Sequence, residues 1–169
     1  MRTIFPLVAT IAIAACSKSE APPQTVQEVV APALTAGDRE ALRSLDQNIA
    51  KAWLEQGSEA QSRALLSLFA PDAVVYPCTG GAPLSGTEAL RAFWFPEGDP
   101  PTRVEYFERR ATDIEGSRAL GAITGRSERA FTHRGARTVR EDHYIIHARP
   151  DADGHWKIER MMWSDQPAL

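Results

Sequence analysis

The chain has 169 residues, 43% of them hydrophobic and 24% charged, with 19 basic and 22 acidic side chains and a formal charge of −3. That length and mixture suit one ordinary domain with a core of its own. The acidic balance gives no reason to expect nucleic acid as a partner.

The amino terminus comes first. Met1-Arg2 is a short positive start, residues Ile4 to Ile13 run apolar, and Ile13-Ala14-Ala15-Cys16 closes the run with small residues before a cysteine. Ten apolar residues cannot span a hydrocarbon core of about 30 Å as a helix, so the segment reads as an export signal. The Ile-Ala-Ala-Cys ending resembles the lipobox of bacterial lipoproteins. The resemblance implies a signal peptide over residues 1–15, cleavage before Cys16, acylation of its thiol, and the membrane as a partner through the lipid anchor. Ser17 stands where lipoproteins kept in the inner membrane usually carry aspartate. The implied location is therefore the cell envelope, at the outer membrane facing the periplasm. Loss of Arg2 with the signal lowers the formal charge by one, to −4.

Residues 16–37 contain Pro22, Pro23 and Pro32 and show neither helical nor strand period, which suits an extended tether. The folded domain is expected over residues 38–169. With Cys16 lipidated, Cys78 has no disulfide partner within the chain; it reads as a small buried residue at a strand end, with a catalytic thiol as the alternative.

Leu42, Leu45, Ile49 and Trp53 recur at helical spacing with Arg39, Glu40, Arg43 and Lys51 between them, and Gly57 ends the pattern. This predicts an amphipathic first helix. Leu65, Leu66, Leu68 and Phe69 form the apolar face of a shorter second helix that Pro71 stops. The β-branched run "AVVY" predicts a strand closed by Pro77, which has no N–H to donate. Ser85 followed by Glu88 has the spacing of a capping box, so a third helix starts there, buries Leu90, Phe93 and Trp94, and ends at Pro96. From Arg103 onward "RVEYFERRATDI", "RALGAITGRSERAF", "RTVREDHYIIHAR" and "HWKIERMMWS" read as strands separated by the turn-like "EGS", "THRGA" and "PDADG". Connections this short require antiparallel neighbours. The expected class is α+β, with three helices on one face of a curved antiparallel sheet.

This order, together with "LFAPDAVVYP", "PLSGTEALRAFW", "DGHWKI" and "MMWSD", resembles the superfamily of nuclear transport factor 2, the ketosteroid isomerases and the SnoaL-like polyketide cyclases, including the DUF4440 kind, over residues 38–165. The resemblance implies a cone-shaped NTF2-like fold, three N-terminal helices packed on a strongly curved antiparallel sheet, with a deep and largely apolar pocket for a small-molecule ligand. It implies no cofactor.

Fold does not decide function, so the catalytic positions are compared individually. The ketosteroid isomerases use a carboxylate base, a tyrosine and a protonated aspartic acid. Matched through the ungapped "DAVVYPCTGGAPLSG", Pro77 falls at the base and Trp53 at the tyrosine, and counting back from Gly154 puts Ile146 near the aspartic acid. Isomerase chemistry by that route is not expected. Limonene-epoxide hydrolases and scytalone dehydratases share the cone and move protons with carboxylates or histidine, and the candidates for that work here are Glu141, Asp142, His143 and Tyr144, with Glu159 on the last strand. Alternate strand residues share a face, leaving Glu141 with His143 or Asp142 with Tyr144. Counting from the isomerases turns Asp142 and Tyr144 inward. Pairing Arg126 with Asp142 and Glu128 with Arg140 across the turn makes a favourable charged outer face and turns Glu141 and His143 inward instead. Both parities stay open, as does a purely solvated run.

His143 and His147 lie roughly 13 Å apart on a strand and cannot share one ion, so no metal site is expected. Trp53, Tyr76, Trp94, Tyr106 and Trp163 are the aromatic candidates for a ligand wall, Trp163 foremost because it matches a pocket-lining tryptophan of the isomerases. The functional expectation is a lipid-anchored envelope protein that binds a small, partly apolar molecule. The alternatives are a lyase, isomerase or hydrolase using one of the two pairs for proton transfer, and an envelope scaffold with a vestigial pocket that forms a homodimer through its sheet face.

Overall fold

The computed structural model describes residues 31–167; the segments expected to be an export signal and most of a tether, with Cys16, lie outside the described residues. Helix α1 (Ala36–Leu54) begins at Thr35, whose hydroxyl accepts from the Asp38 N–H at 3.1 Å while its own N–H donates to the Asp38 carboxylate at 2.9 Å. The Thr35 hydroxyl also donates to that carboxylate at 2.7 Å, and this bond, with the one from the Thr35 N–H, holds the Asp38 carboxyl below the usual carboxylate range. Leu42, Leu45 and Ile49 form the buried stripe anticipated from their spacing. The domain's contacts reach back before Asp38. The Arg118 N–H donates to the Pro32 carbonyl at 2.8 Å, Ala33 bridges to Ser117 and Leu34 is buried, so residues 32–37, read as tether, are part of the domain.

Helix α2 (Ser58–Leu66) stops before Leu68 and Phe69, which were expected on it. Phe69 already opens strand β1 (Phe69–Tyr76), and Pro71 lies inside that strand. The strand tolerates it because pairing with the last strand is interrupted between Phe69 and Val74, where no ladder bond asks for its missing N–H. Strand β2 (Leu84–Ser85) leads into helix α3 (Gly86–Trp94). The expected capping box is not made: Ser85 is the N-cap, yet its side chain caps nothing, because its backbone pairs with Val74 and the chain turns into the helix at Gly86 with φ +81°. Leu90 is fully buried, Trp94 half-buried, and Phe93 exposed.

Four long strands follow: β3 (Arg103–Ser117), β4 (Leu120–His133), β5 (Ala136–Pro150) and β6 (Trp156–Pro167). The six-stranded sheet has the order β2-β1-β6-β5-β4-β3, antiparallel except where β1 runs parallel to β6. This is the α+β arrangement anticipated from the sequence. Bulges in the β3–β4 pairing after Val104 and Ala111, and in the β5–β6 pairing after His147, bend the sheet around α1. The β4–β5 hairpin turns through Arg134 and Gly135, both with positive φ (49° and 81°), as a tight two-residue hairpin connection requires. Leu42, Ile49, Leu65 and Leu90 from the helices meet Ile114, Ile123, Ile146 and Ile158 from the concave face. At Gly121 a Cβ would come within 2.6 Å of Leu42, so glycine lets α1 sit directly on the sheet. No helix among the described residues is long and apolar enough to cross a membrane.

Candidate functional site

The cone holds a half-open cavity of about 170 Å³ between the ends of α1 and α3 and the concave face of β3 to β6. Its apolar wall is built from aromatics. Trp53 comes from the last turn of α1 and Trp94 is the last residue of α3; their rings meet edge-to-face at 6.1 Å between centroids, and Phe95 stacks on Trp53 at 5.5 Å. Phe69 backs Trp94 at 5.4 Å. Edge-to-face and stacked contacts hold these rings in place and supply packing beyond their buried area. The Trp53 carbonyl accepts from the Gln61 side chain at 2.6 Å, which ties the end of α1 to α2. Phe107, Phe131 and Trp163 complete the apolar lining from the sheet.

The polar wall depends on strand parity, and here one of the two sequence readings holds. Across the two-residue turn Arg126 pairs with His143, Ser127 with Asp142, Glu128 with Glu141 and Arg129 with Arg140. The pairs Arg126–Asp142 and Glu128–Arg140 are therefore not made; they would need a register one residue different, and such a slip exchanges the two faces of the strand. Asp142 and Tyr144 point inward, 2% exposed in both cases, while Glu141 and His143 stand on the outer face. Glu141 and His143 therefore share a groove there with Glu108, Arg110, Arg126 and Glu128, which Ser127 and Asp142 also border.

Two buried ion pairs occupy the inner face. Asp46, 1% exposed on α1, receives the Nε and Nη2 of Arg109 on one oxygen at 3.0 and 2.7 Å, and the Tyr144 hydroxyl on the other at 2.8 Å. The Arg109 guanidinium lies 3.7 Å from the Tyr144 ring centroid. Burial above all, and then the Asp46 charge, push the Tyr144 hydroxyl well above its ordinary value, so it remains a donor. Gly125 sits opposite Tyr144 in the β4–β5 ladder, and a Cβ there would lie 2.3 Å from the tyrosine oxygen. In the second pair, Asp142 Oδ2 accepts from the Ser127 hydroxyl at 3.0 Å and from Arg129 Nη1. Asp142 Oδ1 is buried and has no hydrogen-bond partner among the described residues. Arg109, Ser127, Arg129 and Asp142 all border the cavity.

Of the residues singled out from sequence, Trp53, Trp94, Trp163 and Asp142 meet at the cavity. Tyr144 lies just behind it, its hydroxyl engaged by Asp46 and not by Asp142. Tyr76 is 40% exposed at the outer end of β1, and Glu159 is the extra residue of the β6 bulge, half-buried beside Arg160; neither lines the cavity. Tyr106 follows the first β3 bulge, where burial and the Glu128 carboxylate raise its hydroxyl to about 12. Cys78 is half-buried just beyond β1. Asp46, Arg109, Ser127 and Arg129 escaped the sequence reading. The signal for Asp46 was present, as it falls four residues after Leu42 and three before Ile49, which puts an acid on an otherwise apolar helix face. For Arg109 and Arg129 it was alternation with Phe107 and Phe131 at strand period.

No protein-family model and no curated protein matches the sequence. Solved structures do. A ketosteroid isomerase-like protein from Erwinia carotovora atroseptica is 16% identical, with a TM-score of 0.58 over 74% of this chain and 96% of that one. A structure described as a putative aromatic ring hydroxylase from Novosphingobium aromaticivorans is 20% identical, with a TM-score of 0.62 over 80% and 94%. The CaMKII hub of S. rosetta is 14% identical, with a TM-score of 0.60 over 79% and 100%. The chain thus has the ketosteroid isomerase-like, NTF2-like fold. Identities at this level carry the fold alone.

Proposed function

We propose that the domain binds a small, partly apolar molecule in the cone, and that the protein is a SnoaL-like envelope lipoprotein of the DUF4440 kind, anchored through Cys16 at the outer membrane. The observation that carries the binding reading is the cavity itself, an aromatic cage of Trp53, Trp94, Phe107, Phe131 and Trp163 closed on one side by charged groups. Its volume of about 170 Å³ suits a molecule of about one ring, since an engineered apolar cavity of about 150 Å³ holds benzene. Among the described residues Arg109 and Arg129 each have a carboxylate partner, which suits a ligand without strong net charge. Proton-transfer chemistry is less well supported. Pro77 stands at the isomerases' base position, and Asp142 and Tyr144 have separate partners.

Native mass spectrometry of protein purified gently from its own envelope tests the reading. A retained small molecule is expected, lost on Trp163→Ala; protein free of ligand that binds no one-ring compound would overturn it. The anchor is tested separately by acyl labelling, which Cys16→Ser should abolish.

A second reading concerns the outer face, where Tyr76, Met162 and Ile145 lie opposite one another across β1, β6 and β5 and are 40%, 49% and 43% exposed. A contiguous apolar row on a sheet face is typical of an interaction surface, and the similarity to a hub domain favours a second copy as its partner. Sedimentation equilibrium should show a homodimer that Ile145→Asp with Met162→Asp dissociates; a monomer at all concentrations would refute it.

A further inference from the structure

The outer face of the sheet is built in rows of residues that stand opposite one another on neighbouring strands. Tyr106, Ala130 and Val139 make the first, Glu108, Glu128 and Glu141 the second, Arg110, Arg126 and His143 the third, and Thr124, Ile145, Met162 and Tyr76 the fourth. The order is mostly apolar, acidic, basic, mostly apolar. It is balanced about the level of Ser127 and Asp142: Glu128 and Arg126 stand one residue to either side of Ser127, as Glu141 and His143 do about Asp142, while Val139 and Ile145 lie three residues to either side of Asp142. Like charges directly opposite one another destabilise a sheet, so a single chain gains nothing by gathering its acids in one row and its arginines in the next.

Resting on the homodimer reading above, we infer that two copies meet through this face about a two-fold axis that runs across the strands at the level of Ser127 and Asp142. Such an axis lays each strand antiparallel over its copy and exchanges the rows. Glu128 then faces the partner's Arg126, Glu108 the partner's Arg110, Glu141 the partner's His143, and Ile145 the partner's Val139. The groove of about 240 Å³ between the two charged rows lies on the axis, where side chains of the second copy fill it. An axis along the strands would instead set each row on itself, glutamate against glutamate and arginine against arginine, a juxtaposition that costs binding energy. The charged rows thus fix the direction of the dimer, and the apolar rows supply its contact area.

Charge exchange in the full-length protein tests this. Arg126→Glu sets an acid opposite Arg110, and Glu128→Arg sets a cation between Glu108 and Glu141, so each swap relieves repulsion within its own chain and leaves the fold intact. Each should nonetheless raise the dimer dissociation constant about a hundredfold or more in sedimentation equilibrium, because like charges now face each other twice across the axis. Mixing the two variants should restore a dimer containing one of each, since every acid at these positions then meets a base. Unaltered protein that stays monomeric at all concentrations removes the dimer and this arrangement together. A dimer broken by Ile145→Asp with Met162→Asp but untouched by either swap would keep the apolar contact and overturn the exchange of rows, as would two swapped variants that dissociate alone and fail to recombine. Should a swap impair folding, read by circular dichroism, salt decides on the unaltered protein. Raising it from about 0.05 M to about 0.5 M should weaken the dimer several-fold by screening the facing charges, and a dimer indifferent to salt would overturn the proposal.

Discussion

The two faces of β3, β4 and β5 carry the same kinds of side chain and use them in opposite ways. On the outer face like charges stand opposite one another: Glu108, Glu128 and Glu141 form one row across three strands, and Arg110 faces Arg126 in the next. Water and relief along the strand, as in the 2.9 Å contact from Arg110 to Glu108, make this tolerable. On the inner face Arg109 meets Asp46 and Arg129 meets Asp142, and the first pair is almost wholly buried. Exposed pairs are worth about 0–1 kcal/mol, whereas removing one partner of a buried pair costs about 3–5 kcal/mol. A charged residue's importance here is therefore set by the face it stands on.

The sharpest way to break the comparison is Asp46→Ala, which strands Arg109 and the Tyr144 hydroxyl together. A loss of about 3–5 kcal/mol is expected in urea unfolding, and a loss below about 1 kcal/mol would mean that the inner pair behaves like a surface pair. Gly125→Ala should follow at about 1–3 kcal/mol, since the new methyl overlaps the Tyr144 hydroxyl. Combining it with Tyr144→Ala should cost less than the two changes added, because neither the hydroxyl nor the ring carbon that bears it is left for the methyl to strike.

Alkaline pH offers a third test. Both Tyr144 and Tyr106 have hydroxyls raised above the ordinary value of 10.0, so the folded state favours the neutral phenol. Their contribution to stability is whole below pH 10 and falls as pH rises from there, through about 12 for Tyr106. Unfolding curves should show this loss, and Tyr144→Phe should flatten it; an equally steep decline in the variant would assign it to other groups. The smallest effect belongs to the outer face. Glu128→Gln removes the centre of the glutamate row and should change stability by no more than about 0.5 kcal/mol. It should also bring the Tyr106 hydroxyl part of the way down, read as phenolate absorbance, with burial keeping the remainder. An unchanged titration would remove Glu128 as a cause.

How much of this was legible in advance varies by element. The stripe Leu42–Leu45–Ile49 and the four-strand meander were readable because their periods are local. The limit of the second helix was not, since Leu68 and Phe69 continue a helical pattern and only the parallel pairing with β6 draws Phe69 into a strand. The Ser85 box failed for the same kind of reason, a backbone pairing with Val74 that competes with the cap. The aromatic wall was partly visible: Trp53, Trp94 and Trp163 were candidates, but so was Tyr76, which faces the other way.

The sequence by itself determined the order of elements, the antiparallel pairing forced by short turns, and the rule that only alternate members of Glu141, Asp142, His143 and Tyr144 can share a face. Which alternate pair turns inward was left to tertiary structure. The two-residue turn at Arg134–Gly135 sets the β4–β5 register, and packing of Ile123 and Ile146 against α1 decides which face is covered. Tertiary structure alone also brings Arg109 to Asp46 and Tyr144 to the same carboxylate, contacts spanning 63 and 98 positions of chain. A side chain's period is a local property of the backbone. Its partner across the core is fixed only when the sheet has curled around the helix.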